Sequence, residues 1–156
     1  MIVPGYLRVQ NITTNIPVII VTKSSAIGIC FFGYGGSLSA THREATWEQE
    51  LNGNKKEIPS PLLRAKEEKE HLEKLLHIQG YDNLDCHVIT VFTNPELQIK
   101  GISPVYYCTK DTLIPLLEES PYTNDKRIDP QEVGKKLGVL QYQDENLKPK
   151  KKFGRK

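Results

Sequence analysis

Residues 16–36 read IPVIIVTKSSAIGICFFGYGG, and no other stretch limits the fold as tightly. Two apolar, β-branched runs, 16–22 and 26–32, meet at Ser24-Ser25. Their spacing predicts two strands joined by a short turn. Gly33, Gly35 and Gly36 end the second run and suit a sharp exit or a close backbone approach. They do not form a phosphate cradle, because GYGG lacks the GxGxxG spacing and no helix start follows it.

The flanking sequence extends this pattern. Residues 6–13 predict a further strand before the pair. In ATWEQELNGNKKEIPSP, the Asn52-Gly53 turn signal predicts a hairpin that folds the Trp47 indole onto the domain. Ser60-Pro61 then opens a helix, with serine as the cap and proline at its first position. Leu62, Ala65, Leu72, Leu75, Leu76 and Ile78 form its buried stripe. Glu67, Glu68 and Glu70 stand with Lys66, Lys69 and Lys74 on the wet side, and Gly80 stops the helix.

CHVITVF (86–92) and PVYYCT (104–109) predict two more strands. TLIPLLEES predicts a short helix capped by Thr109 or Asp111, with Pro115 near its first turns. A last helix starts at Asp129-Pro130 and runs through QEVGKKLGVL. The expected class is α/β, a mixed β-sheet flanked by helices in one domain over 1–138. The polar, aperiodic remainder, 139–156, is expected to be a disordered basic tail.

Charge is distributed unevenly. The chain carries a formal +2, but its last nine residues, KPKKKFGRK, hold six bases and no acid, which leaves the rest at −4. Lys148, Lys150, Lys151, Lys152, Arg155 and Lys156 are therefore the candidate contacts to a polyanion, indifferent to sequence. Arg43 and Arg64 would extend that surface if they lie on the same side. The longest apolar stretch, Ile27 to Phe32, is far short of a membrane span, and MIVPGYLRVQ has no secretory h-region. A cytoplasmic protein that engages no membrane is expected.

Chemistry is harder to find. Cys30, Cys86 and Cys108 are widely spaced in strand-like runs and read as buried, inert thiols, without a CxxC motif or a Cys/His knuckle. His42, Glu44, Glu48 and Glu50 read as a polar hairpin surface, and Asp82 and Asp85 as turn residues. His71 and His77 read as exposed helix residues and His87 as a packed strand residue. No nucleophile–base set, metal site or cofactor site is expected.

From Ile16 to about Glu119 the chain resembles the NERD (nuclease-related) domain, a branch of the PD-(D/E)xK nucleases. The resemblance rests on an ordered set: IPVIIVTKSSAIGICFFGYGG, the Trp-bearing hairpin ATWEQELNGNKK, the proline-opened helix SPLLRAKEEKEHLEKLL and the strand HVITVF. It implies a PD-(D/E)xK nuclease-like core. In that family an Asp and a Glu on adjacent strands hold a divalent cation, and a Lys two residues after the Glu reaches the same pocket. The metal activates water, and the Lys stabilises charge on the attacked phosphate. Here the Asp falls on Pro17, the Glu on Cys30, the Lys on Phe32 and a further Gln on Arg64. The resemblance thus implies the nuclease shape without its ligands. The expected function is non-catalytic: binding of nucleic acid, or of a protein partner that acts on it. An active metal-dependent nuclease with relocated acids, and a purely protein-binding accessory module, are the alternatives.

Overall fold

The structure, a computed structural model, describes residues 1–41 and 43–142. The described residues form nine strands and three α-helices: β1 (Ile2–Val9), β2 (Ile12–Val21), β3 (Ser25–Phe32), β4 (Ser37–Ala40), β5 (Thr46–Leu51), β6 (Asn54–Pro59), α1 (Pro61–Ile78), β7 (Asp85–Phe92), β8 (Gln98–Lys100), β9 (Cys108–Thr109), α2 (Lys110–Leu117) and α3 (Pro130–Val139). The α/β class holds, but the single sheet expected from sequence is two mixed sheets. One has the order β1-β2-β3-β7-β9 and the other β6-β5-β4-β8.

The run that dominates the sequence sits at the centre of the first sheet. β2 and β3 pair antiparallel through Val18↔Ile29 and Val21↔Ala26. Thr22 closes their turn, its hydroxyl accepting from the Ser24 and Ser25 N–H groups. β3 then pairs parallel with β7 from Ser25↔Asp85 to Phe32↔Phe92. Ala26 and Cys30 join the core beneath α1 and α3, while Ile27 and Ile29 join the core beneath α2. This alternation with period two is why a strand wholly apolar over these positions is stable here.

The first hairpin differs from expectation. The break after residue 13 is absent, and β2 starts at Ile12 after a Gln10-Asn11 turn, with Gln10 at φ 55°. Thr14 is buried mid-strand and does not break it, because its hydroxyl donates to Gly5 O at 2.8 Å and accepts from Leu7 N at 3.2 Å. Those bonds repair a bulge between Val3 and Gly5. Gly5 is required there, since a Cβ would run into the Ile16 carbonyl oxygen.

Gly36, at φ 71°, turns the chain out of the first sheet against the Glu50 carbonyl. The Asn52-Gly53 hairpin folds back as expected, with both residues at positive φ. It buries Trp47 against Phe92, 6.3 Å between ring centroids. Phe92 ends β7 in the first sheet yet packs with Leu38, Trp47 and Ile58 of the second, so it joins the two. The chain therefore visits the sheets alternately: β1–β3 in the first, β4–β6 in the second, then β7, β8 and β9 by turns.

Helix α1 matches its expected bounds. Ser60 Oγ accepts from Leu63 N at 3.2 Å, and Gly80 leaves the helix at φ 85°. Ala65, Leu72, Leu75 and Leu76 are buried, whereas Leu62 is only partly covered and Ile78 is exposed. The strand expected over 104–109 shrinks to β9, because Ser103-Pro104 starts a 3-10 turn over Pro104–Tyr106. Proline brings no N–H to a ladder, and the Ser103 hydroxyl accepts from Val105 N, which holds the turn. Helix α3 is capped by Asp129. Val139 ends α3, and beyond it Arg8 N donates to Leu140 O, Gln141 bridges to Leu7 and Tyr142 N donates to Tyr6 O, so residues 140–142, expected to be part of a disordered tail, lie along β1 instead. No described helix is long and apolar enough to cross a membrane.

Candidate functional site

Of the four positions singled out by the resemblance, Cys30 and Phe32 pack on the core beneath α1. Cys30 points from β3 toward that helix and is buried. The antiparallel register of β2 with β3 ends at Val18↔Ile29, one residue short of Pro17 and Cys30, where β2 bulges against β1. Phe32 lies two residues along the same face of β3. It stacks on Tyr34 at 6.2 Å and meets Phe92 at 6.0 Å. Arg64 is exposed on α1, and its charge reaches the Cys30 thiol.

One acid enters this region, and sequence reasoning put it on the wrong side. Glu68, expected on the wet face of α1, is 7% exposed, and its Oε1 accepts from the Asn15 backbone N–H at 2.8 Å. The signal was present in the spacing. Glu68 lies three residues after Ala65 and four before Leu72, squarely within the apolar stripe. Its partner explains the placement: a carboxylate is tolerated inside when a strand N–H is aimed at it.

The chemistry of this pocket follows from its walls. Burial, reinforced by the negative charge of Glu68 and opposed by Arg64, pushes the Cys30 thiol up to about 11. It is therefore a poor nucleophile near neutrality. Mg²⁺ demands several oxygen ligands in near-octahedral geometry. A proline, a protonated thiol, a phenyl ring and one carboxylate already engaged by a backbone N–H do not meet that demand. Among the described residues, no group of three or more His, Cys, Asp and Glu side chains could hold a metal ion.

The other candidates are dispersed. His42 and the six tail bases, Lys148, Lys150, Lys151, Lys152, Arg155 and Lys156, lie outside the described residues. Glu48 and Glu50 sit in β5, facing Glu57 and Lys55 across the hairpin, and Glu44 is exposed in the preceding loop. Asp82 is tied to His77, and Asp85 to Lys126 at 2.8 Å. His87 packs edge-on to Tyr122, ring centroids 4.9 Å apart, and burial lowers its pKa. Arg43 borders a small recess with Ser60, Leu62 and Lys66, whereas Arg64 acts on Cys30.

Sequence reading missed a sizeable cleft. A cleft of about 650 Å³ opens on the α2 side of the first sheet, between β7 and the segment leading into β9. Reading 104–109 as a continuous strand had filled the space it occupies. Compared with protein-family models, with curated proteins and with solved structures, the chain finds no match.

Proposed function

We propose that the chain is a non-catalytic, NERD-like binding protein with a PD-(D/E)xK-like core. It engages nucleic acid, or a protein that acts on it, through its basic tail, and its site of action is cytoplasmic. The observation that carries the non-catalytic reading is the set of side chains at the positions the resemblance singles out, with Cys30 buried beneath α1. Pro17, Cys30 and Phe32 stand where the resemblance calls for two metal-binding acids and a lysine, and Glu68 is spent on Asn15. The order of a β2–β3 pair, a tryptophan hairpin, a proline-opened helix and the parallel strand β7 supports the family reading.

Binding rests on the tail. Cationic side chains gain free energy near a polyanion by releasing condensed counterions, without contacting any base. If four to six phosphates are neutralised, log K falls with log salt at a slope of roughly −4 to −5 on duplex DNA. The test compares full-length protein with a variant lacking residues 146–156, on short DNA and RNA over a salt series. Loss of both affinity and slope in the truncated form supports the proposal, and unchanged values overturn it. Metal-dependent nicking of supercoiled DNA, abolished by replacing an acid of the 44–50 segment, would instead favour the active nuclease with relocated acids. The cleft on the α2 side favours the third reading, a protein-binding module.

A further inference from the structure

Strand β7 is only partly enclosed. Asp85 N donates to Ser24 O at 2.9 Å and Thr93 N to Phe32 O at 3.0 Å, so odd-numbered residues of this strand turn their backbone groups to β3. Successive residues of a strand alternate, which directs the groups of Cys86, Val88 and Thr90 to the opposite edge. On that edge β9 pairs only at Val91↔Cys108 and Phe92↔Thr109. Over Cys86–Ile89 no other described strand pairs with this edge. The cause is local: the Ser103-Pro104 turn diverts the chain where β9 would have to continue.

Val88 and Ile89 of this edge, with Thr90 beyond them, line the 650 Å³ cleft, while Cys86 and His87 border a separate recess beside α1. Val88, Thr90, Tyr106, Tyr107, Pro115 and Tyr122 contribute to the walls of the cleft. Of its lining, Val105 and Tyr106 are 82% and 65% exposed, large apolar side chains left in water. Among the described residues the charged residue lining it is Glu119, with Glu118 beside it at the end of α2.

Backbone groups without strand partners, an apolar wall and one acid together specify a ligand. We infer that this cleft binds an extended peptide segment of a partner protein by strand addition along β7, centred on Val88–Thr90. Alternate side chains of the peptide lie in the apolar wall, and a lysine or arginine meets Glu119. The acid at Glu119 favours a basic segment as the occupant, and a second copy of this chain is the competing outcome that the test separates. The inference goes beyond the tail-based reading and uses none of the tail residues.

The test uses full-length protein and three labelled ten-residue probes in fluorescence anisotropy. One probe alternates valine and lysine, and the second alternates valine and glutamate. The third is the basic probe with proline at alternate positions, which removes the N–H groups needed for pairing. The basic probe should bind saturably, with the other two at least about tenfold weaker. Glu119→Lys, an exposed change, should weaken the basic probe by a similar factor and favour the acidic one, whereas Glu70→Lys on α1 should leave both unchanged. Bound basic probe should slow amide hydrogen exchange at Val88 and Thr90. No saturable binding, equal binding of the proline probe, or indifference to Glu119→Lys would overturn the inference. Concentration-dependent dimerisation that protects this edge would overturn it too, by assigning the cleft to a second copy.

Discussion

Replacing Glu68 separates a structural acid from a metal ligand. Glu68→Ala removes the acceptor for the Asn15 N–H, which lies under α1. Leaving a buried donor unsatisfied costs about 1–3 kcal/mol. Each methylene of the stem withdrawn from the core costs about 0.8 kcal/mol more. Relief of the buried carboxylate and the better helix propensity of alanine offset part of this, so the net loss should be about 2–3 kcal/mol. For a chain of this size that is a fall in Tm of roughly 4–12 °C. Glu68→Gln keeps the stem and an amide oxygen in reach of Asn15, and should lose less than about 1 kcal/mol. Urea unfolding followed by fluorescence of the single tryptophan, Trp47, reads both variants. An alanine variant within about 0.5 kcal/mol of the parent would refute the reasoning, as would a glutamine variant as damaged as the alanine one. A midpoint that rises with Mg²⁺ in the parent but not in Glu68→Gln would show that the acid is a ligand after all.

Two further perturbations test other parts of the fold. Gly36→Ala forces a side chain into a left-handed conformation against the Glu50 carbonyl and should cost at least about 1–2 kcal/mol, whereas Gly53→Ala, in open space, should cost less; paired urea melts compare them. His87 has its pKa lowered from 6.5, first by burial, with Asp85 opposing and Lys69 reinforcing. Below that pH the unfolded chain takes up a proton that the folded one resists, so stability should fall on acidification from 6.5 down through the lowered folded value. His87→Phe, which keeps an aromatic ring against Tyr122, should flatten that part of the stability–pH curve, and an identical slope in both proteins would refute the assignment.

Elements bounded by strong local signals were legible in advance. Helix α1 lies between a Ser-Pro start and a glycine stop, and the hairpin of the second sheet turns on Asn52-Gly53. In both cases the local sequence dictates the backbone whatever packs against it. The first hairpin was misplaced because Thr13, Thr14 and Asn15 resemble a break, and only the bulge at Gly5 reveals that Thr14 is bonded into the strand. Glu68 was missed because the surrounding charges hide one acid at a buried position of the stripe. Its partner, Asn15, is fifty-three residues away, beyond the reach of periodicity. The cleft was invisible for a related reason. Ser103-Pro104 was read through as part of a strand-like run, and a gap in a sheet edge exists only once the strands are paired.

The alternation of the chain between its two sheets has a kinetic meaning. The second sheet cannot be completed until β8 has arrived beside β4, and β8 follows β7, which must already lie beside β3. Closing β4 onto β8 spans some sixty residues, so the loop entropy is lost before the contacts that compensate it form. Neither sheet is a unit that can be cut out or left behind, and Phe92 stands in both cores. Opening the hairpin side should therefore loosen β7 as well, making the chain a single cooperative folding unit despite its two sheets. On that footing, Trp47 reports the unfolding of strands it never touches.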